Sequence, residues 1–216
     1  MNWTLAALVV LGVCLFAGFW WYERQHPPAK VVALVATLAA LAALGRIAFA
    51  PIPSVKPTTA IVLIAGFALG AAPGFTVGAV AALASNLFFG QGPWTPWQMV
   101  AWGLVGVAGA LLAAAHRDRP PGRVALGVAC AVAALGFGAV MDLSTWTTFG
   151  RHTLGEYLAI SATALPFNLT HAAGSFAFAL AFGPALLATL ERFRMRFEIE
   201  WVPAPSSERP VAPPIG

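Results

Sequence analysis

The chain has 216 residues, 59% of them hydrophobic and 9% charged, with a net charge of +4 and a mean hydropathy of +0.79. Soluble domains carry about 45–50% apolar and about 25% charged residues, so this composition excludes one and identifies an integral membrane protein of a single domain. The basic residues are too few and too scattered between apolar segments to make a phosphate-binding face, which excludes nucleic acid as a partner.

Hydropathy predicts seven helices, over residues 4–22, 30–49, 58–71, 74–89, 98–115, 124–141 and 168–190. The first lacks a basic leader and runs into Trp20, Trp21 and Tyr22, an interfacial belt rather than a cleavage site, so it reads as a retained anchor. The second, VVALVATLAALAALGRIAF, holds the small-residue pairs Ala36/Ala40 and Ala39/Ala43, a smooth face for a neighbouring helix. Glycines recur at Gly66, Gly70, Gly74 and Gly78 and predict close helix packing, with AAPG at 71–74 as a tight turn. Between the fourth and fifth segments stands GQGPWTPWQ, and after the sixth comes DLSTWTTFGRHTLGEYLAISATALPF, too polar at its start to span and ended by Pro166. The tail from Pro203 is Pro-rich and predicted to be disordered. Cys14 and Cys130 fall within apolar segments and are assigned no chemistry.

Basic residues in short loops stay cytoplasmic. Seven spans with the 23–30 loop inside place Arg24, Lys30, Arg117, Arg119, Arg123, Arg192, Arg194, Arg196 and Arg209 inside, against Arg46, Lys56 and Arg151 outside. The expected location is the cell membrane, multi-pass, with the C-terminus cytoplasmic. Three unusual connections then lie outside: PIPSVKPTT, GQGPWTPWQ and MDLSTWTTFGRH. Prolines stiffen them, and their indoles and amides suit a small-molecule lid.

Polar residues at membrane depth are costly unless they face a cavity or a bundle interior, and here Arg46, Asn86, Asp142, Asn168 and His171 all lie toward the outer half. Asn168, His171 and Ser175 share a helix face, and Arg46 and Asp142 could pair near a cavity mouth. A His171/Ser175 hydrolase dyad lacks an acid and a nucleophile elbow. The chain has no phosphate-binding loop, no H-E-x-x-H and no Cys/His cluster with metal spacing, so neither a metal nor a cofactor is expected.

SNLFFGQGPWTPWQMVAWGLVG, preceded by IPSVKPTTAIVLIAGFALGAAPGFTVGA, resembles the substrate-binding S component of energy-coupling-factor (ECF) transporters, the prokaryotic vitamin importers. The resemblance covers roughly residues 30–190. It implies an all-α, six-helix, substrate-binding membrane domain over 30–190, preceded by an extra transmembrane helix and link over 1–29 and followed by a cytoplasmic amphipathic and Pro-rich tail over 191–216. It further implies a non-enzymatic protein that captures a vitamin in an outward-facing pocket. Its partners would be membrane lipid, a transmembrane coupling subunit and two ATPase subunits, with the coupling subunit docked on Ala36 and Ala40 or on the neighbouring Ala39 and Ala43. The expected ligand contacts are Asn86, Gln91, Trp94, Trp97, Gln98, Asp142, Trp146, Asn168 and His171. The wide, tryptophan-rich outer loops suit a corrinoid such as cobalamin first and a flavin second. The rival readings are a ligand-independent channel or assembly protein and an intramembrane hydrolase.

Overall fold

The computed structural model describes residues 3–116 and 120–197. Seven helices organise them: α1 (Trp3–Arg24), α2 (Ala29–Ala48), α3 (Thr58–Leu69), α4 (Ala71–Phe89), α5 (Thr95–Ala115), α6 (Arg123–Phe149) and α7 (Leu154–Phe197). No strand occurs among the described residues. Six helices, all but α3, are long and apolar enough to cross a membrane. That is the make-up of a multi-pass membrane protein, because a helix satisfies its own backbone where lipid offers no hydrogen bonds. The tail from Pro203, and Arg117, Arg119 and Arg209, lie outside the described residues.

The expected seventh span is corrected at α3. Its 12 residues rise only about 18 Å, against a hydrocarbon core of about 30 Å. The helix sits in the middle of the bundle, with every residue from Thr58 to Ala68 buried, so protein rather than lipid surrounds its ends. The turn expected at 71–74 is instead the single residue Gly70, at φ 96°, which ends α3 and starts α4. A side chain rarely adopts that angle, and Gly does so freely. Pro73 then falls in the first turn of α4, where a missing N–H removes no intrahelical bond.

α3, α4 and α5 form the core through glycine. The backbones at Gly66, Gly74 and Gly106 meet across the three helices, and a Cβ on any of them would strike main-chain atoms. Gly78 lies likewise against the Trp102 carbonyl and Gly109 against that of Leu63. Lipid offers no hydrophobic drive for helix association, so close approach and dispersion hold such helices together. Around this core lie α2, α6 and α7, and α1 packs outermost on α4, α5 and α6. Only Leu11 and Gly18 of α1 are buried, Gly18 beneath the Phe75 ring.

A second correction concerns 142–168. This stretch is helical apart from a short connection: α6 continues to Phe149 and α7 begins at Leu154. Three of its polar residues, Asp142, Ser144 and Thr147, form an inward face, buried against neighbouring helices. Pro166 lies inside α7 instead of ending it, as does Pro184. Packing of α7 against α6 holds the helix in line, and the Thr170 hydroxyl donates to the Pro166 carbonyl. α7 likewise runs past residue 190 to Phe197.

Candidate functional site

Hydrogen bonds tie one end of each of α1 to α6 to its neighbours, and the middle of α7 to α3 and α6. Arg46 near the end of α2 reaches Ser85 and Asn86 near the end of α4, and Asn86 reaches Gln98 in the first turns of α5. Thr59 at the start of α3 meets His171 of α7, Asn168 of α7 donates to Asp142 of α6, and Thr4 of α1 donates to the Thr147 carbonyl of α6. The connections 49–57, 90–94 and 150–153 all lie at this end.

At the centre stands the Arg46 guanidinium. Its Nη1 donates to Ser85 Oγ and Asn86 Oδ1, each at 2.7 Å, and its Nη2 lies 3.5 Å from Gln98 Oε1. Asn86 passes the network on, donating to Gln98 Oε1 at 2.8 Å and Thr95 Oγ1 at 3.1 Å. Thr95 in turn donates to Gln91 Oε1. The rings of Phe89 and Trp102 flank the cation, at 4.7 and 4.9 Å from its central carbon. Every hydrogen-bond partner of Arg46 is thus a neutral side chain, and the expected pairing with Asp142 does not form.

Beside it runs a relay through α5, α3 and α7. Trp102 Nε1–H donates to Thr59 Oγ1 at 3.1 Å, and that oxygen lies 2.9 Å from His171 Nε2. The buried hydroxyl has no other acceptor among the described residues, so its proton goes to His171 Nε2. That assigns a neutral imidazole with its proton on Nδ1. Phe137 packs edge-on to His171 and stacks on Trp102 at 4.3 Å.

Beside these groups opens a hollow of about 180 Å³, lined by Arg46, Ser54, Lys56, Gln98, Trp102, Phe137, Gly138, Met141, Phe167, Asn168 and His171. Lys56 is tied to the carbonyls of Phe49 and Ile52, with Nζ at 2.6 and 3.1 Å. Burial, then the charge of Arg46, pushes its amine below its ordinary value. Ser54 holds its turn at φ 59°.

Of the nine expected contacts, Gln98, Asn168 and His171 line the hollow. Asn86 and Asp142 stand behind it, fixing Arg46 and Asn168. The other four face elsewhere. Gln91 spends its amide on the Leu83 carbonyl and Thr95, and Trp94 folds over Gly92 at the exposed rim. Trp97 is buried against Leu11 of α1 and Val100. Trp146 donates to the Thr153 carbonyl and packs among Trp3, His152 and Tyr157. The loop GQGPWTPWQ therefore caps α5 and positions Gln98 and Asn86 without walling the hollow itself. Arg46 entered the sequence reading as an outer polar group and a partner for Asp142, and Lys56 and Thr59 only as members of the outer PIPSVKPTT connection; Trp102 and Phe137 were not singled out.

On α2, Ala39 and Ala43 are buried within the fold, which removes them from any partner-facing surface. Ala36 and Ala40 are exposed one turn apart.

Residues 28–197 match the family described as a family of unknown function (DUF6580). The chain belongs to this family. The matched region begins after α1 and takes in α2 to α7, hence the whole hollow. No curated protein and no solved structure matches the chain.

Proposed function

We propose that the protein is the substrate-binding membrane subunit of an ECF-type importer, which captures a small nutrient and changes no covalent bond in it. The observation that carries this reading is the hollow, where α2, α5, α7 and the 49–57 connection contribute polar groups, and α6 an apolar wall, around a void at one end of an apolar bundle. Polar groups at that depth are expensive, and a pocket built from several rigid helices with a few convergent polar groups suits ligand capture.

Two features support the importer form of the reading. The end opposite the hollow carries Arg24, Lys30, Arg123, Arg192 and Arg194 on its described helix termini, whereas the hollow's own end contributes Arg46, Lys56 and Arg151. The positive-inside rule then turns the hollow outward and puts the C-terminus in the cytoplasm. The exposed Ala36 and Ala40 leave α2 a smooth face on which a helix of a coupling subunit could seat. The volume, about 180 Å³, lies below the roughly 300–1,000 Å³ of drug-sized sites. It favours a ligand much smaller than the corrinoid or flavin expected from the loops.

The test is uptake by cells carrying the protein with and without a coupling subunit and its two ATPases, read alongside mass spectrometry of small molecules extracted from the purified protein. The expected result is one small compound retained by the protein and accumulated only when the ATPases are active. Accumulation independent of the ATPases would favour the channel reading and sink this one.

A further inference from the structure

The hollow is unbalanced in charge and in hydrogen-bonding sense. Two cations, Arg46 and Lys56, line it, and among the described residues no carboxylate does. The nearest acid, Asp142, is held by Asn168 and borders a separate depression on the α6–α7 side together with Glu156. Arg46 is half-buried and held by neutral groups, so it lacks the counter-charge that its partial desolvation favours.

The donors outnumber the acceptors as well. Arg46 keeps its Nε–H and part of its Nη2 unspent, because its bonds to Ser85 and Asn86 use Nη1 and its contact with Gln98 is long. Gln98 uses its oxygen on Asn86, which leaves its amide N–H groups. His171 accepts at Nε2 and so offers Nδ1–H. Trp102 has its indole N–H engaged by Thr59 and presents only its ring, stacked with Phe137.

We propose that this hollow takes a small organic monocarboxylate, its carboxylate received by the free N–H groups of Arg46 with Lys56 as the second positive charge, and its flat or apolar body set against Trp102 and Phe137. The planar guanidinium fork matches a carboxylate in geometry as well as charge. A volume of about 180 Å³ suits a compact body. The inference rests on the importer reading only in treating the hollow as a ligand site; binding needs no coupling subunit.

The experiment is a titration of the full chain in detergent micelles with benzoate, its uncharged counterpart benzamide, and inorganic phosphate, followed by tryptophan fluorescence and by the unfolding midpoint. Benzoate is expected to bind about tenfold or more tighter than benzamide, the worth of a hydrogen bond to a charged group, and phosphate is expected not to displace it. In Arg46→Gln the preference for benzoate disappears. Because that variant also loses the bonds to Ser85 and Asn86, Lys56→Gln serves as the second: it weakens benzoate and leaves benzamide unchanged. Equal binding of benzoate and benzamide, displacement by phosphate, an unaltered preference in Lys56→Gln, or no response to benzoate or to acetate and butyrate would each overturn the proposal. Benzoate binding in a protein that shows no ATP-driven uptake would uphold the anion site while removing the importer reading.

Discussion

Thr59 shows how much a single ordinary residue decides. Its hydroxyl accepts from Trp102 and donates to His171, so it ties α3 to α5 and α7 in the layer beneath the hollow. Thr59→Val would strand a buried indole N–H and an imidazole nitrogen together. At about 1–3 kcal/mol for each unmet buried group, the expected loss is about 2–6 kcal/mol of stability. Thr58→Val, which gives up only the bond to the Ala42 carbonyl, should lower the unfolding midpoint in micelles by clearly less, and an equal loss would refute the relay. Lys56 carries a pH signature. Its folded value lies below the ordinary 10.5, so the folded protein binds fewer protons than the unfolded chain in the interval between the two. Stability should therefore rise as pH climbs through that interval toward 10.5. Lys56→Gln should flatten that rise in the midpoint-versus-pH curve. Among residues, Asn168 and His171 were legible because spacing of three puts them on one helical face at a costly depth. Trp94, Trp97 and Trp146 were not, since an indole suits a rim, a helix contact or a pocket equally well and only the neighbours choose.

At the scale of elements, the glycines separate into those that permit contact and those that do not. Gly106 lies against the Gly74 backbone, whereas Gly136 on α6 has open space around it. Gly106→Ala should wedge α4 from α5 and lower the midpoint, with overpacking of this kind worth about 1–3 kcal/mol. Gly136→Ala should be neutral or stabilising by up to about 1 kcal/mol, from helix propensity. The reverse order would mean that α4 and α5 are not in backbone contact. The long apolar segments were readable in the sequence because a membrane span needs about 20 apolar residues in a row. The short α3 was not, since an enclosed helix and a spanning one look alike over a dozen apolar residues. Pro166 misled for a related reason: a proline ends a solvated helix more readily than one held along its length by a neighbour.

For the whole molecule, the decisive prediction is orientation. In a background of Cys14→Ala and Cys130→Ala, a cysteine at Ser54 beside the hollow should react with a membrane-impermeant maleimide on intact cells. A cysteine at Gln25, at the opposite end of the bundle, should react only after lysis. Labelling in the opposite sense would turn the hollow to the cytoplasm and end the importer reading. Membership of the DUF6580 family extends over α2 to α7, so the layer that carries Arg46, Lys56, Gln98 and His171 lies wholly within the matched region.

Composition and run length by themselves determined that this chain is helical, apolar and multi-pass, because burying backbone in lipid leaves few alternatives. They also placed its polar residues toward one end. The tertiary structure alone decided that α3 is sheathed, that Arg46 rather than the tryptophan loop forms the heart of the hollow, and that Ala39 and Ala43 face inward while Ala36 and Ala40 face out. Each of those outcomes depends on how a helix is rotated about its axis, and in a bundle that rotation is set by close contact between glycine backbones and by hydrogen bonds between residues 12 to 143 positions apart.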